Sequence, residues 1–570
     1  MNALDYKPEE ILGTVESVDT ATVVVRVESD DKLRELQVNH LVLVQSPKTN
    51  QRLIGLVAKI IRKATDEDAS VVTANPILSS NIVKVILIGT HFDKDGDRSN
   101  VFKRTLSTVP TINAECVVIS GDRLKRFMQS VSSSPEGKTA TALEIGKYSL
   151  DEEAVAYLNG NKLFQRHSVI VGSTGSGKSW CVAHILEQVA SLKSADAILF
   201  DIHGEYEPLK GANFVRFKVA GPMDISKDGI IFLPYWLLTY EEMLSLMLDR
   251  SDSNAPNQAM MFANTVSNGK QSFLTDNGKQ DLASVITLDS PIPYSLDNLL
   301  TELTAKDEEM VPGARQGTEK QGAYNGKLTR FIQRLKSKQD DKRLNFMFSK
   351  DTLLLKYEYL ADLCKKLMNP ANNGKGGVKI IDFSEVPSDI LPLIVSLLAR
   401  LIFSVQQWTE TEKRHPIAIF CDEAHLYIPA NTNNSIDGAS LQNFERIAKE
   451  GRKYGVGLIV ISQRPAEVNR TVLSQSNNFI AMRLTNADDQ AVVKRLLPDS
   501  LGDFAETLPI LDIGEALIVG DACLLPSRVK VTEPKLRPQS ATIDFWDMWS
   551  SESNVSDINK AVESLRKQSK

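Results

Sequence analysis

The sequence predicts an α/β protein: a parallel sheet with helices on both faces, preceded by a small β-barrel and interrupted by a helical insertion. Three observations carry this. Apolar strand-like runs alternate with helical stretches between Ser168 and Arg483, a glycine-rich octapeptide joins the first of those runs to a helix, and closely spaced β-branched runs fill the N-terminal part.

The barrel comes first. Ile11–Val18, Thr22–Val27, Leu41–Val44, Leu53–Ile61 and Ile82–Gly89 are rich in Val, Ile and Leu, with turn residues such as Asp19, Ser29–Asp31 and Ser46–Asn50 between them. Short strands at this spacing close into a barrel rather than a parallel sheet. We assign residues 1–130 to it and the polar stretch 131–142 to a linker.

The α/β core is expected at 143–239 and 349–531. Its strands are Ser168–Val171, Ala197–Asp201, Gly229–Leu233, Lys379–Phe383, Ile417–Cys421, Gly457–Ser462 and Asn478–Arg483. Strands alternating with helices imply parallel pairing. Between Tyr240 and Phe348 the strand signals vanish, so 240–348 reads as an inserted helical subdomain with a mobile middle at Ser251–Asn257 and Asn268–Asp281. Ile390–Val405 is apolar nearly all round and is expected inside the fold. Pro392, Ser396 and Arg400 make it too short and too interrupted to span a bilayer. The tail, 532–570, carries Trp546 and Trp549, which are expected to dock on a surface.

Composition narrows the function. The 570 residues are 42% hydrophobic and 24% charged, ordinary for a globular chain, with a net charge of −6. The whole molecule does not attract polyanions, so any contact with nucleic acid needs a local basic surface. The five cysteines, Cys116, Cys181, Cys364, Cys421 and Cys523, are scattered without a CxxC pair, which reads as buried free thiols and not as a zinc site. A polar, acidic N-terminus without an apolar leader gives the expectation of a cytoplasmic protein with no membrane.

The strongest motif is Gly172-Ser173-Thr174-Gly175-Ser176-Gly177-Lys178-Ser179, between a strand and the helical run opened by Trp180. Glycines let main-chain amides turn inward around phosphates, and the helix presents its positive end to them. Lys178 would neutralise the β- and γ-phosphates of ATP, and the Ser179 hydroxyl would ligate Mg²⁺. The second motif is the strand Ile417–Cys421 ending in Asp422-Glu423. Asp422 is expected on the Mg²⁺ side and Glu423 as the base that orients water. His425 reads either as a γ-phosphate sensor or as a packed surface histidine.

Gln463 ends the strand Gly457–Ser462 and could report nucleotide state; a loop hydrogen bond is the other reading. Asp201 and Glu205 follow the strand Ala197–Asp201, whose carboxyl end should line the ligand crevice. Arg446 and Arg452 precede the sensor strand. An arginine there could reach a neighbouring subunit's nucleotide, or could belong to a solvated basic face. Lys327, Arg330, Arg334 and Lys338 fall on helical spacing and could touch phosphates, although Leu328, Phe331, Ile332 and Leu335 on the same helix also suit an amphipathic surface helix.

Taken in order, these motifs resemble the HerA family of hexameric DNA translocases, within the larger HerA/FtsK group. The resemblance rests on Leu143-Glu-Ile-Gly146, Phe164 to Ser179, Asp201-Ile-His-Gly-Glu-Tyr206, Asp422 to Pro429, Glu450-Gly-Arg-Lys-Tyr-Gly455 and Ile461-Ser-Gln-Arg-Pro465. It implies a RecA-like core, a homo-hexamer with ATP between subunits, and double-stranded DNA in a central channel. It makes Arg452 the finger acting in trans, with Arg446 in reserve, and Arg166 an arginine acting in cis near the γ-phosphate. It further implies a tail bracing a neighbouring subunit and a barrel that docks a partner, either a nuclease or a sirtuin-like NAD-cleaving effector. The expected activity is that of an ATP-driven DNA translocase or helicase serving DNA end processing or anti-phage defence. A ring scaffold that regulates an effector, with ATP mainly structural, and a conjugation-type or export ATPase are the competing readings.

Overall fold

In the computed structural model, the described residues are 4–62, 81–96, 98–132, 142–149, 151–432, 434–497, 505–523, 525–539, 545–550 and 558–568. Most of the expected linker, 133–141, lies outside them. The chain forms two compact units. One comprises Met1–Gln188, Ile459–Ala466 and Leu473–Lys535, and the other Val189–Leu458, Glu467–Val472 and Leu536–Lys570.

The first unit opens with the barrel. Its strands are β1 (Ile11–Asp19), β2 (Thr22–Val27), β3 (Leu41–Gln45), β4 (Gln51–Ile61), β5 (Asn81–Asp95), β6 (Arg98–Lys103) and β7 (Glu115–Val118). They pair in the order β2-β1-β7-β3-β4-β5-β6, and a further β2–β5 pairing closes six of them into a barrel with β6 outside. Alternation decides which side chains face in: Val23, Val25 and Val27 of β2 are buried together with Val42, Val44, Val83 and Val85. Each such side chain contributes about 1.5–3 kcal/mol on burial. Closure leaves no open edge among these six strands.

The same unit holds a second, mixed sheet. It contains β8 (Ala142–Tyr148), β9 (Asp151–Asn159), β10 (Ser168–Val171), β18 (Val456–Ser462, entering this unit at Ile459), β19 (Asn478–Met482), β20 (Glu515–Gly520) and β21 (Ser527–Val531). The order within the unit is β18-β10-β19-β20-β21-β8-β9. Strand β10 is parallel to both neighbours, whereas β19–β20, β20–β21, β21–β8 and β8–β9 are antiparallel. The strands that the sequence assigned to the parallel sheet pair parallel here, β10 with β18 and with β19. Four further strands, β20, β21, β8 and β9, extend the sheet antiparallel.

The second unit carries five parallel strands. These are β11 (Ala197–Asp201), β12 (Phe214–Val219), β13 (Ile230–Ile231), β16 (Val378–Asp382) and β17 (Ile417–Cys421), of which β11, β16 and β17 are buried throughout. Their order is β13-β12-β16-β11-β17. The helix Leu391–Trp408 is long and apolar enough to cross a membrane, yet it lies mostly buried within this unit. Its interrupting Arg400 makes two 2.8 Å hydrogen bonds to the carboxylate of Glu242, on the helix Tyr240–Met247. Asn443 bridges that carboxylate to the Ser396 hydroxyl at 3.0 and 2.8 Å, so the polar residues of an apolar helix are paired with one another.

The 240–348 stretch is largely helical, as expected, but its middle is not loose. Ala255–Asp276 is one helix of 22 residues, and the Lys270 ammonium, 2% exposed, donates to the carbonyls of Leu288 and Ser290 at 2.7 Å each. The stretch also contains a two-stranded ribbon, β14 (Met310–Pro312) and β15 (Glu319–Gln321), that no strand signal announced. Cys116, Cys181, Cys421 and Cys523 are buried free thiols and Cys364 is half-buried; no metal-binding cluster occurs among the described residues.

Lys379 of β16 and Asp196 form an ion pair at 2.7 Å, with side chains 2% and 1% exposed. Lys379 also donates to the Asn369 carbonyl, and burial pushes the Asp196 carboxyl up despite its partner. Removing one member of such a pair strands a buried charge. Lys379→Met is expected to cost about 3–5 kcal/mol at neutral pH, whereas Asp196→Leu combined with Lys379→Met should recover most of that loss. Urea unfolding of both variants checks this; equal losses would contradict it.

Candidate nucleotide site

The glycine-rich loop leaves β10 at Val171 and enters the helix Lys178–Ala190. Main-chain hydrogen bonds hold it in place. Ser173 N–H donates to the Arg483 carbonyl at 2.8 Å, Ser176 N–H to the Ser173 carbonyl at 3.1 Å, and Gly514 N–H to the Ser176 carbonyl at 2.9 Å. The glycines are required by space and by backbone. A Cβ at Gly172 would lie 2.4 Å from Ser176 Oγ and 2.9 Å from Met482 Cβ, and Gly175 and Gly177 have φ of +74° and +100°. Lys178 is 6% exposed, and the fully buried Ser176 hydroxyl has no hydrogen-bond partner among the described residues. A tight glycine cradle, a buried lysine and a helix N-terminus are what a triphosphate needs, so the residues fit ATP. Ser173, Ser179 and Trp180 are half-buried around the helix start, and Thr174 and Gly175 are exposed at the tip.

The parallel register sets Val171 opposite Ser462 and Ala481. Gln463 follows Ser462 directly and accepts a 2.5 Å hydrogen bond from Thr174 Oγ1. A side chain at the end of a neighbouring strand thus touches the phosphate loop itself. Three residues that sequence reasoning missed also fix the loop. Ser173 Oγ lies 3.4 Å from Thr485 Oγ1 and accepts from Thr485 N–H at 3.3 Å. Gly514, at φ +78°, and Met482 pack against Gly177, and the position of Gly514 just ahead of β20 was the one available signal.

Arg166 is not brought to this loop. It precedes β10, at the opposite end of the strand, where its guanidinium pairs with Asp521, to which Arg104 also comes at 3.7 Å. Five residues, His167 and the strand β10, separate it from Gly172. In this chain Arg166 therefore serves an ion pair at the amino end of β10, away from the phosphate loop.

In the second unit, Asp422 and Glu423 end β17 and are 2% and 4% exposed. Glu423 is in the left-handed region, φ +46° and ψ 44°, an uncommon conformation for a residue with a Cβ. His425 Nδ1 lies 3.4 Å from Glu423 Oε2, so His425 neighbours the expected base. Tyr427, fully buried, donates to the Asp422 carbonyl at 2.8 Å and fixes the turn.

Arg446 and Arg452 differ. Arg446 donates to Gln407 Oε1 at 3.0 Å and lies 5.2 Å from the Phe403 ring centroid, which holds it against its own unit. Arg452 is exposed on the turn Gly451–Tyr454. That turn is seated by Tyr454, whose ring packs against Phe403 at 5.5 Å with the Arg414 guanidinium 5.1 Å away.

Asp201 turns out to cap its own loop. Its carboxylate accepts from the N–H groups of Glu205 and Tyr206 at 3.0 and 3.1 Å. Burial, with Asp382 nearby, outweighs those bonds and pushes its pKa up to about 6. Asp382 itself is held low, in spite of burial, by the Ser384 N–H and by Arg216 at 2.8 Å.

Comparison with known proteins gave three kinds of match. Two family models match, Helicase HerA, central domain, over residues 143–402 and Helicase HerA-like C-terminal over 359–556. A probable helicase of Methanocaldococcus jannaschii is 25% identical over 412 residues, 71% of this chain and 70% of its own length. The DNA double-strand break repair helicase HerA of Saccharolobus solfataricus is 27% identical over 383 residues, 65% of this chain and 64% of its own. Among solved structures, the bacterial conjugative coupling protein TrwBΔN70 aligns with a TM-score of 0.45 at 12% identity, covering 74% of this chain and 94% of that one.

A raised Asp201 pKa binds a proton in the folded state that the unfolded chain has already lost. Between about pH 4 and 6 its contribution therefore weakens stability as pH rises, and above pH 6 the cost is fully present. Asp201→Asn should remove this slope. The stability of the native protein relative to that variant should fall across the window, by an amount on the order of 1–3 kcal/mol. Chemical unfolding at pH 4, 5, 6 and 7 reads this directly, and parallel curves would refute it.

Proposed function

The chain belongs to the HerA helicase family, and we propose that it is an ATP-driven motor that moves along double-stranded DNA as a homo-hexameric ring. The observation that carries this reading is the contact between Gln463 and Thr174, which supports Gln463, at the end of an adjacent strand, as a reporter on the phosphate loop. A structural nucleotide site needs a cradle; a working one also needs the cradle to be read by another element.

On this reading, the main-chain amides of Gly172–Ser179 bind the β- and γ-phosphates and Lys178 offsets their charge. Ser179 and Asp422 are the residues that would hold Mg²⁺, which when bound would neutralise charge on the phosphates. Glu423 orients the attacking water and takes its proton, with His425 close enough to tune that carboxylate. Gln463 senses loss of the γ-phosphate through Thr174. Arg452 is the arginine finger for the neighbouring subunit's ATP, since Arg446, although also exposed, is held by Gln407 and Phe403. The closed barrel serves as the docking platform for an effector of nuclease or NAD-cleaving type, with Val109 and Ile112 exposed on one of its loops. Trp546 and Trp549, 80% and 74% exposed in the tail, brace an adjoining subunit.

Lys178→Ala is expected to abolish nucleotide retention and turnover, and Glu423→Gln to retain ATP while lowering turnover by about 10²–10⁴-fold. Arg452→Ala should also be inactive alone. Mixed in equal amounts with Lys178→Ala, it should regain part of the turnover, because some interfaces then pair an intact arginine with an intact lysine. A steady-state ATPase assay with duplex DNA measures all three. Normal turnover without Lys178 would sink the mechanism, and absence of rescue at every ratio would remove Arg452 from its role.

A further inference from the structure

The protein is acidic as a whole, net −6, but its charge is unevenly spread along the chain. Residues 311–343 contain nine Lys and Arg against three Asp and Glu, a net +6 within 33 residues. This segment is the ribbon β14–β15, its tip, and the helix Thr329–Asp340.

The ribbon is an unusual object in a helical surround. From Ala314 to Gln321 every residue is exposed, so the ribbon buries almost nothing of its own. A two-stranded hairpin alone in water is marginal at best. This one is held by its tip and its root. At the tip, Gly313 N–H donates to the Thr318 carbonyl at 2.6 Å and Thr318 Oγ1 to the Arg315 carbonyl at 2.7 Å, with Gly317 at φ +81° completing the turn. At the root, Asp307 accepts from Leu328 N–H at 2.7 Å and from Thr329 Oγ1 at 2.6 Å, and Glu309 O accepts from Gly322 N–H at 2.9 Å.

The helix that follows buries Phe331, Ile332 and Leu335 and turns its basic residues outward. Some of that charge is already matched, since Arg334 meets Asp249 at 2.6 Å and Arg330 approaches Asp252 at 3.9 Å. The ribbon's charge is not. Among the described residues neither Arg315 nor Lys320 forms an ion pair, and both are exposed. On this glycine-tipped ribbon two cations stand against one carboxylate, Glu319, and among the described residues neither cation is paired. They match a regularly spaced polyanion, and the glycine tip lets a backbone approach closely.

We propose that the ribbon Met310–Gln321, through Arg315 and Lys320 with the outer face of the helix Thr329–Asp340 behind them, grips the phosphates of duplex DNA. The ribbon reads charge and spacing rather than base sequence. This rests on the translocase reading above and supplies the element that reading lacks, the surface the motor pushes with.

The test uses the full-length protein and a fluorescently labelled duplex, with binding followed by anisotropy between about 50 and 200 mM salt. Arg315→Ala/Lys320→Ala removes two cations from exposed positions, so its unfolding midpoint should match the native protein's. Duplex affinity at low salt should drop about tenfold or more, and the slope of log K against log salt should become shallower by about 2, one unit for each phosphate no longer neutralised. ATP turnover without DNA should be unchanged, while DNA stimulation should weaken; Arg315→Glu/Lys320→Glu should abolish it. If the native protein binds the duplex and both variants bind it equally well with the same slope, the ribbon is not the grip, and its charge is left to an acidic protein surface. If the native protein itself neither binds the duplex nor responds to it, the translocase reading fails and the ribbon's role fails with it.

Discussion

A phosphate loop must do two things that oppose each other: carry the chain from the carboxyl end of a strand into a helix, and turn its amides toward a common centre instead of toward one another. Here the second demand is met by backbone conformations open to glycine at Gly175 and Gly177, and by the lack of room for a side chain at Gly172. The first is met by hydrogen bonds within the loop and from strands and loops on either side. Neither is optional. A loop that relaxed would pair its amides internally and lose the cradle, so the surrounding sheet has to hold it open. The consequence reaches Gln463. Parallel register is fixed by buried apolar side chains, here along the whole of β10 and β18. Once Val171 lies opposite Ser462, the next residue of β18's chain must stand beside the loop, and its contact with Thr174 follows from packing rather than from any local preference.

Apolar clustering made the barrel legible. β1 to β5 were found because Val, Ile and Leu cluster between turn residues, with period-two burial clear in β2 and continuous burial in β3 and β4, whereas β7 is four residues long and β6 carries a charge at each end. β9 begins Asp-Glu-Glu-Ala and has the composition of a helix start; only its pairing with β8 makes it a strand. β12 is half-exposed along most of its length and lacks the continuous apolar run of its buried neighbours. The polar segment read as mobile is a helix because Lys270, a residue that normally signals solvent, is satisfied by carbonyls 18 and 20 residues away. That a lysine will find buried acceptors is a property of the tertiary fold, and no window of sequence contains it.

The site divides along the same line. The glycine geometry and the buried Lys178 were legible because a phosphate loop is contiguous in the chain. For Arg166, adjacency to the phosphate-loop strand says nothing about which end of that strand the side chain serves. It sits before the strand, and a strand has its ligand at the other end. Asp201 lies at the correct end of β11, but its two oxygens are occupied by the loop that follows, and burial holds its pKa near 6. Being at the carboxyl end of a strand is a necessary position for a ligand-binding acid and not a sufficient one.

Glu423 shows what the fold tolerates for chemistry. A left-handed residue with a side chain costs roughly 1–2 kcal/mol, which glycine would avoid, and the chain nevertheless places a buried acid there. The conformation is held from below. Tyr427 donates to the Asp422 carbonyl, and its own carbonyl accepts from Ser440 Oγ at 3.1 Å. Ser440 belongs to the helix Ser435–Glu450, which runs directly into the turn bearing Arg452. From Ser440 to Arg452 is about 18 Å along a single rigid element. The strand end that bears the acids and the turn that bears Arg452 are thus joined through Tyr427 and Ser440. On the proposed reading, in which Arg452 serves the next subunit, this helix and its turn are the shortest covalent path between the acids and that arginine, and coupling between neighbouring sites would have to pass along it.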